Sequence, residues 1–332
     1  KIGEIKEYDL LVEQLDVIGD DIRKEKRQSY IGAVASFLDG WLGLDMGYAR
    51  ILSKKQYKTA PLITLSYRCL DPSLVTSDVF DEVYSLMIMS GTLTPTSLYK
   101  DVLGFPEGSV EKIYGNPFPE KNRLNLIVPK TTTKYSARNE EQFKEIGKIG
   151  AEIANNIPGN SIIFFPSYGL MHAVYPYFSE LCNKEVVVEK KGANKEEKKK
   201  LLGQFKKHKK KGMVFLGITS GSFGEGIDLP GDLLKGVVVV GIPLQPPDLE
   251  TKELIKYYDK RFDKGWDYGY LLPAITKVLQ NAGRCIRSEK DKGVVVFLDE
   301  RYSWNHYLRC FPDDWEVKVS KDYVDEVKNF FS

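Results

Sequence analysis

Cysteine and histidine are scarce, with four and three in 332 residues. No C-x-x-C occurs, and the spacings of Cys69, Cys182, Cys285 and Cys310 fit neither a zinc site nor an iron–sulfur ligand set. His306 and Cys310 stand four apart, but two ligands do not make a site, so no metal is expected. Scattered thiols suit a reducing, intracellular compartment. Net charge is also nearly absent: 48 Lys+Arg against 46 Asp+Glu leave +2. That excludes a molecule-wide pull toward nucleic acid and confines any such contact to a local patch. The longest apolar runs, such as Gly236–Leu244, fall far short of the ~20 residues of a membrane span, so no membrane partner is expected. The chain starts on Lys1 with no secretory pattern, and the expectation is of a start inside a longer protein.

What is present is ordinary globular composition, 42% hydrophobic and 28% charged, at a length suited to roughly two domains. Leu11, Leu15, Ile18 and Ile22 repeat at helical spacing, as do Ile31, Val34, Phe37, Leu38, Trp41 and Leu42. Two helices make a poor core, so this stretch belongs with a larger helical domain. Ala49–Leu52 and Leu62–Tyr67 flank the Lys54–Lys58 turn as a hairpin, followed by a helix at Ser73–Glu82 and an apolar strand at Tyr84–Met89. After Pro95 strands and helices alternate. The expected strands are Leu124–Val128, Ser161–Phe165, Glu185–Val188, Met213–Leu216, Val237–Val240 and Val294–Leu298. The helices between them are Glu140–Asn156, Gly169–Cys182, Lys195–Lys209, Leu249–Phe262 and Pro273–Ile286. Continuous Val/Ile/Phe strands suit a parallel sheet covered on both faces, so an α/β, doubly wound domain is expected over residues 96–332.

The lysine-rich tract Lys190–Lys211 carries Leu201, Leu202 and Phe205 at helical spacing. It reads as a solvated helix with one stripe on the sheet, some of whose lysines are open to phosphate.

Four segments carry chemistry. In Gln280–Arg287 a single helix would place Gln280, Arg284 and Arg287 within a ~60° arc, with Gly283 beside them. Two guanidinium forks match phosphate oxygens and suit a γ-phosphate in transfer. Gly217–Gly231 follows a strand and offers five glycines and the hydroxyls of Thr219, Ser220 and Ser222 to a phosphate chain. Within it, Glu225 and Asp228 add acceptors. Ser90-Gly91-Thr92-Leu93 puts hydroxyls at a strand end, and Ser167 in Phe164–Tyr168 caps the next helix, a ready phosphate site. The polar run Thr131–Tyr135 offers Lys134 to a DNA phosphate.

In this order the segments resemble the second half of XPD-like DNA helicases, including the DinG branch. Ser90–Leu93 is similar to helicase motif III, Phe164–Tyr168 to motif IV, Gly221–Gly231 to motif V and Gln280–Arg287 to motif VI; Phe297–Tyr302 resembles that family's closing strand and turn. The likeness covers about residues 45–332. It implies a RecA-like, mostly parallel sheet at 96–332 (motor domain 2), the last strands of motor domain 1 at 46–95, and a helical remnant of an Arch-like insertion at 1–45. It further implies ATP and Mg²⁺ between two motor domains, and single-stranded DNA crossing them 5′ to 3′, in DNA repair. Arg284, Arg287 and Gln280 then correspond to the residues reaching the γ-phosphate, with Gly283 beside them. Glu225, Gly226 and Asp228 link nucleotide state to DNA grip. Ser167 and Tyr168 lie near the DNA track, and Ser90 and Thr92 couple hydrolysis to movement; Thr219, Ser222 and Lys134 are expected to add DNA contacts on their own chemistry.

The sequence departs from the family in having no G-x-x-x-x-G-K-[ST] loop, no D-E-A-H box and no iron–sulfur cysteine cluster. ATP, Mg²⁺ and a 4Fe–4S cluster are therefore expected only with a first motor domain in cis, and the 332 residues alone are expected to be inactive as an ATPase. The other reading is a non-catalytic RecA-like scaffold that docks repair-factor partners. Location is expected to be cytoplasmic in an archaeon or bacterium, and nuclear in a eukaryote.

Overall fold

The computed structural model describes residues 7–56, 60–192, 194–221 and 233–332. Ser222, Glu225, Gly226 and Asp228 therefore lie outside the described residues. The chain forms two compact units.

The first unit takes residues up to Met87, with Lys100–Glu107 and Pro247–Gly269. It holds helices α1 (Tyr8–Glu25) and α2 (Tyr30–Trp41), which pack on each other. Ser29 caps α2 by accepting from the Gly32 amide at 3.1 Å, the usual way an exposed first turn is satisfied. Strands β1 (Tyr48–Lys55) and β2 (Leu62–Cys69) pair antiparallel, as the sequence pattern requires. Helix α3 (Ser73–Glu82) follows, and α8 (Leu249–Phe262) packs against β1 although more than 190 residues separate them in the chain. Asp71 anchors that packing: its carboxylate accepts from Tyr257 at 2.7 Å and from Arg261.

The second unit takes Ile88–Tyr99, Gly108–Pro246 and Tyr270–Ser332. Its sheet contains β3 (Arg123–Ile127), β4 (Ser161–Phe165), β5 (Glu185–Val188), β6 (Met213–Ile218), β7 (Gly236–Val240), β8 (Gly293–Leu298) and β9 (Val317–Val319). The order is β5-β6-β4-β7-β8-β3-β9, and every pair is parallel. All residues of β4, β6, β7 and β8 are buried, so helices cover both faces and the unbroken aliphatic runs have their reason. The connecting helices are α5 (Glu140–Asn156), α6 (Tyr168–Leu181), α7 (Lys195–Lys207) and α9 (Leu272–Ala282), with α11 (Tyr323–Phe331) against α5. The core joins Ile146, Ile149 and Ile153 of α5 to Met171, Val174 and Phe178 of α6, over Ile163, Leu216, Val238 and Val296. This is the RecA-like α/β architecture.

At the amino edge of the sheet, buried Asn160 holds three segments: its amide donates to Phe205 and Leu233 carbonyls at 2.8 and 2.9 Å and accepts from the Met213 amide at 2.9 Å. At the carboxyl edge Gly241 adopts φ +66°, and a Cβ there would stand 2.1 Å from Thr133 Oγ1.

Three expectations are corrected. Tyr84–Met89 is not a strand: it is exposed, with Tyr84 fully so, and no described strand lies beside it to complete its backbone ladder. Strand β9 was not anticipated, because three residues at a sheet edge carry too little pattern to read. The last helix of the expected set ends at Ala282 rather than Ile286, with consequences for the arginines. No helix among the described residues is long and apolar enough to cross a membrane.

Candidate nucleotide and nucleic-acid interface

Parallel sheets gather ligands beyond the carboxyl ends of their strands. Following β4 there, Ser167 takes extended dihedrals and its Oγ accepts from the Leu170 amide at 3.3 Å, so it is the N-cap of α6. Tyr168 begins that helix, half-buried. Burial and the nearby Glu189 carboxylate both raise its phenol above the ordinary range, so it stays protonated.

Glu189 was missed by the sequence reading. It follows β5, is 2% exposed, and accepts from the Ile218 amide at 2.7 Å. A Cβ on Gly221 would fall 2.6 Å from both its carboxylate oxygens. One buried acid therefore meets the start of the glycine-rich loop and the Tyr168 ring. Its only sequence signal was an acidic residue directly after an aliphatic strand.

Thr219 is inside the fold. Its amide and hydroxyl both donate to the Phe165 carbonyl, at 2.9 and 3.2 Å, and it is 3% exposed. The expected DNA-facing hydroxyl is thus engaged in joining β6 to β4.

Helix α9 ends where Gly283 caps it, its amide donating to the Leu279 carbonyl at 2.8 Å. Gly283 is thus the first residue past the helix rather than a mid-helix residue, with right-handed dihedrals (φ −63°). Arg284 and Arg287 therefore do not share a helix face with Gln280. Buried Asn281 reaches the carboxyl edge, donating to the Thr219 carbonyl at 2.9 Å. Four residues on, the Cys285 thiol donates to the Val294 carbonyl at 3.5 Å, at the amino end of β8. Between those anchors Arg284 is half-buried. Arg287 is exposed in a turn held by Asp291, whose Oδ2 accepts from the Arg287 and Ser288 amides, both at 2.9 Å.

Gln280 is exposed and donates to Thr92 Oγ1 at 3.4 Å; Ser90 Oγ in turn accepts from the Thr92 amide at 3.3 Å. Lys134 stands elsewhere, after β3, with its ammonium 4.7 Å from the centre of the Trp304 ring. In sheet order β3 is three strands from β4, on the order of 14 Å. Beside Lys134, Asp299 and Arg301 form a buried ion pair at 2.8 Å, and Thr133 bonds both. That pair orders the loop carrying Lys134 and was not foreseen. Among the described residues no group of three or more His, Cys, Asp or Glu is placed to hold a metal.

Residues 151–318 match the helicase C-terminal domain family. The chain is 25% identical over 276 residues to the XPD/RAD3 helicase subunit of general transcription and DNA repair factor IIH from Saccharomyces cerevisiae, covering 77% of this chain and 35% of that protein. It is 25% identical over 307 residues to 3′-5′ exonuclease DinG of Staphylococcus saprophyticus, covering 88% of this chain and 32% of that protein. A solved XPD helicase superposes with TM-score 0.63 at 23% identity, over 93% of this chain and 55% of that one, which shows the shared fold. The chain spans about a third of the length of these curated relatives. Its parallel sheet, its ordered motifs and the family match make this chain a member of the helicase C-terminal domain family, of the XPD and DinG type.

Proposed function

We propose that the chain is the second motor half of an ATP-dependent DNA helicase of XPD type, acting in DNA repair with a first motor domain in the same polypeptide. The observation that carries this is the wiring of the motif segments to one another. The motif VI amide of Asn281 is bonded to the Thr219 carbonyl ahead of the motif V loop, and Gln280 to motif III Thr92. Glu189 joins the motif IV tyrosine to the β6 end. These bonds connect the segments physically, an arrangement suited to coupling hydrolysis to translocation.

Arg284 and Arg287 carry permanent charge in forked geometry that suits a γ-phosphate. They supply the charge-stabilising half of a site only. The amides and lysine that hold the β- and γ-phosphates, and the carboxylate for Mg²⁺, belong to the first motor domain, so no metal step runs through these residues. Ser167, Tyr168 and Lys134 are the side chains offered to single-stranded DNA at the carboxyl edge, and any 4Fe–4S cluster would sit outside these 332 residues. Within this reading, residues 1–45 derive from an Arch-like insertion and 46–95 from the end of the first motor domain.

The test is DNA-stimulated ATPase activity of the protein carrying both motor domains. Arg284→Ala and Arg287→Ala should each lower turnover by about 10³-fold or more, and the 332-residue chain alone should show none. Near-normal turnover in both variants would remove the arginines from the reaction.

A further inference from the structure

Helix α7 is the most basic element of the second unit, and the proposed motor function makes no use of it. Leu201 and Phe205 are buried and mark its inward face. At 100° per residue, Lys199 and Lys206 then form one outward ridge and Lys200 and Lys207 another, and all four are exposed. Each ridge sets two ammonium stems about 10.5 Å apart along the axis. Between the ridges, at the centre of the outward face, stands Gly203, and no described atom lies within 4 Å of where its Cβ would be. A glycine inside a helix weakens it relative to alanine, and no described residue packs there to require one. The gap instead admits a backbone from outside, close to the helix axis, between four cations. Glu196 is the acidic residue on the same face, one turn earlier, while Glu197 closes the capping box with Asn194. Exposed Lys190 and Lys191 precede the helix, and exposed Lys210 and Lys211 follow it.

We propose that the outward face of α7 docks the phosphodiester backbone of duplex DNA, at a place separate from the single-strand track at the carboxyl edge. Duplex is favoured over single strand because the tract has no base-stacking platform. Its aromatic rings are Phe205, which is buried, and His208, whose Nε2 lies 2.8 Å from Glu185. Four cations on a rigid helix match the denser charge of a double helix. The inference goes beyond the motor reading and survives its failure.

The experiment measures binding of the 332-residue chain to a labelled blunt hairpin duplex and, separately, to oligo-dT, between 50 and 200 mM salt. The variant Lys199→Glu/Lys200→Glu/Lys206→Glu/Lys207→Glu should bind duplex at least tenfold more weakly at 100 mM salt, with native circular dichroism. Its salt slope should flatten by about 3.6, or 0.9 for each lost phosphate contact. Gly203→Gln, which fills the gap without charge, should weaken duplex several-fold and leave oligo-dT unaffected. Unchanged duplex affinity and slope in the fourfold variant would overturn the proposal. So would a normal affinity in Gly203→Gln, which would reduce α7 to a long-range field. Equal displacement of duplex by poly-glutamate at matched charge would reassign the face to an acidic polypeptide. Absence of oligo-dT binding by the parent chain, with duplex binding present, would count against the motor reading alone.

Discussion

The side-chain amide of Asn281, in the last turn of α9, donates to the main-chain carbonyl of Thr219 at 2.9 Å, across 62 residues of chain. The same nitrogen donates to the Lys277 carbonyl one turn earlier, also at 2.9 Å. One buried amide thereby fixes both the end of the helix from which Arg284 departs and the start of the glycine-rich loop.

Replacing Asn281 by Ala leaves two interior carbonyls without that donor and should destabilise the chain by about 1–3 kcal/mol. A urea titration of the variant reads this directly. Asn281→Leu, which keeps the size and removes the donor, should behave alike. An unchanged midpoint in both would show that the bond does not hold the two segments.

The Asp299–Arg301 pair is 0% and 8% exposed at its side chains. Removing one member strands a buried charge, so Asp299→Ala or Arg301→Ala should each cost about 3–5 kcal/mol. The double substitution should cost clearly less than the sum. Strict additivity in a double-mutant cycle would mean that the two charges do not stabilise each other.

Lys184, between α6 and β5, donates to the Gly159 carbonyl at 2.9 Å, and burial pulls its ammonium down to about 8. The sign follows from proton counting. Above pH 8 the folded chain has lost this proton while the unfolded chain keeps it up to its ordinary value near 10.5. The unfolded state then binds more protons, so this group's contribution to stability rises with pH across that interval. The difference in urea midpoint between Lys184→Met and the parent chain should therefore change steadily from pH 7.5 to 9.5, with the parent gaining. A pH-independent difference would contradict the buried, readily neutralised amine.

Burial pushes the Cys285 thiol up to about 12, whereas Cys69 is exposed. In the native chain at pH 8 iodoacetamide should modify Cys69 and leave Cys285 untouched until denaturant is added. Mass spectrometry of the two peptides decides it, and early labelling of Cys285 would show that the Arg284–Arg287 segment opens.

Much of the sheet could be read from the residues because its strands are buried on both faces. Continuous aliphatic runs such as Val237–Val240 and Val294–Leu298 have few other places to go, and β7 and β8 form there. Tyr84–Met89 has the same texture and forms no strand, since an apolar run becomes a strand only beside a ladder partner. The N-cap role of Ser167 was equally legible, being local, whereas the hydroxyls of Ser90 and Thr92 follow no strand. Glu189 and the Asp299–Arg301–Thr133 cluster were not, because their partners come from distant segments.

The amino-acid sequence by itself determined most of the helices and the strands buried on both faces. Patterning and capping act over a few neighbouring residues and are written in the chain. Tertiary structure decided the rest: the end of α9 at Gly283, the inward Thr219 hydroxyl, the convergence on Glu189, and the open face around Gly203. Those outcomes depend on which buried donors meet which acceptors across the sheet, a condition set by three-dimensional packing rather than by neighbours along the chain.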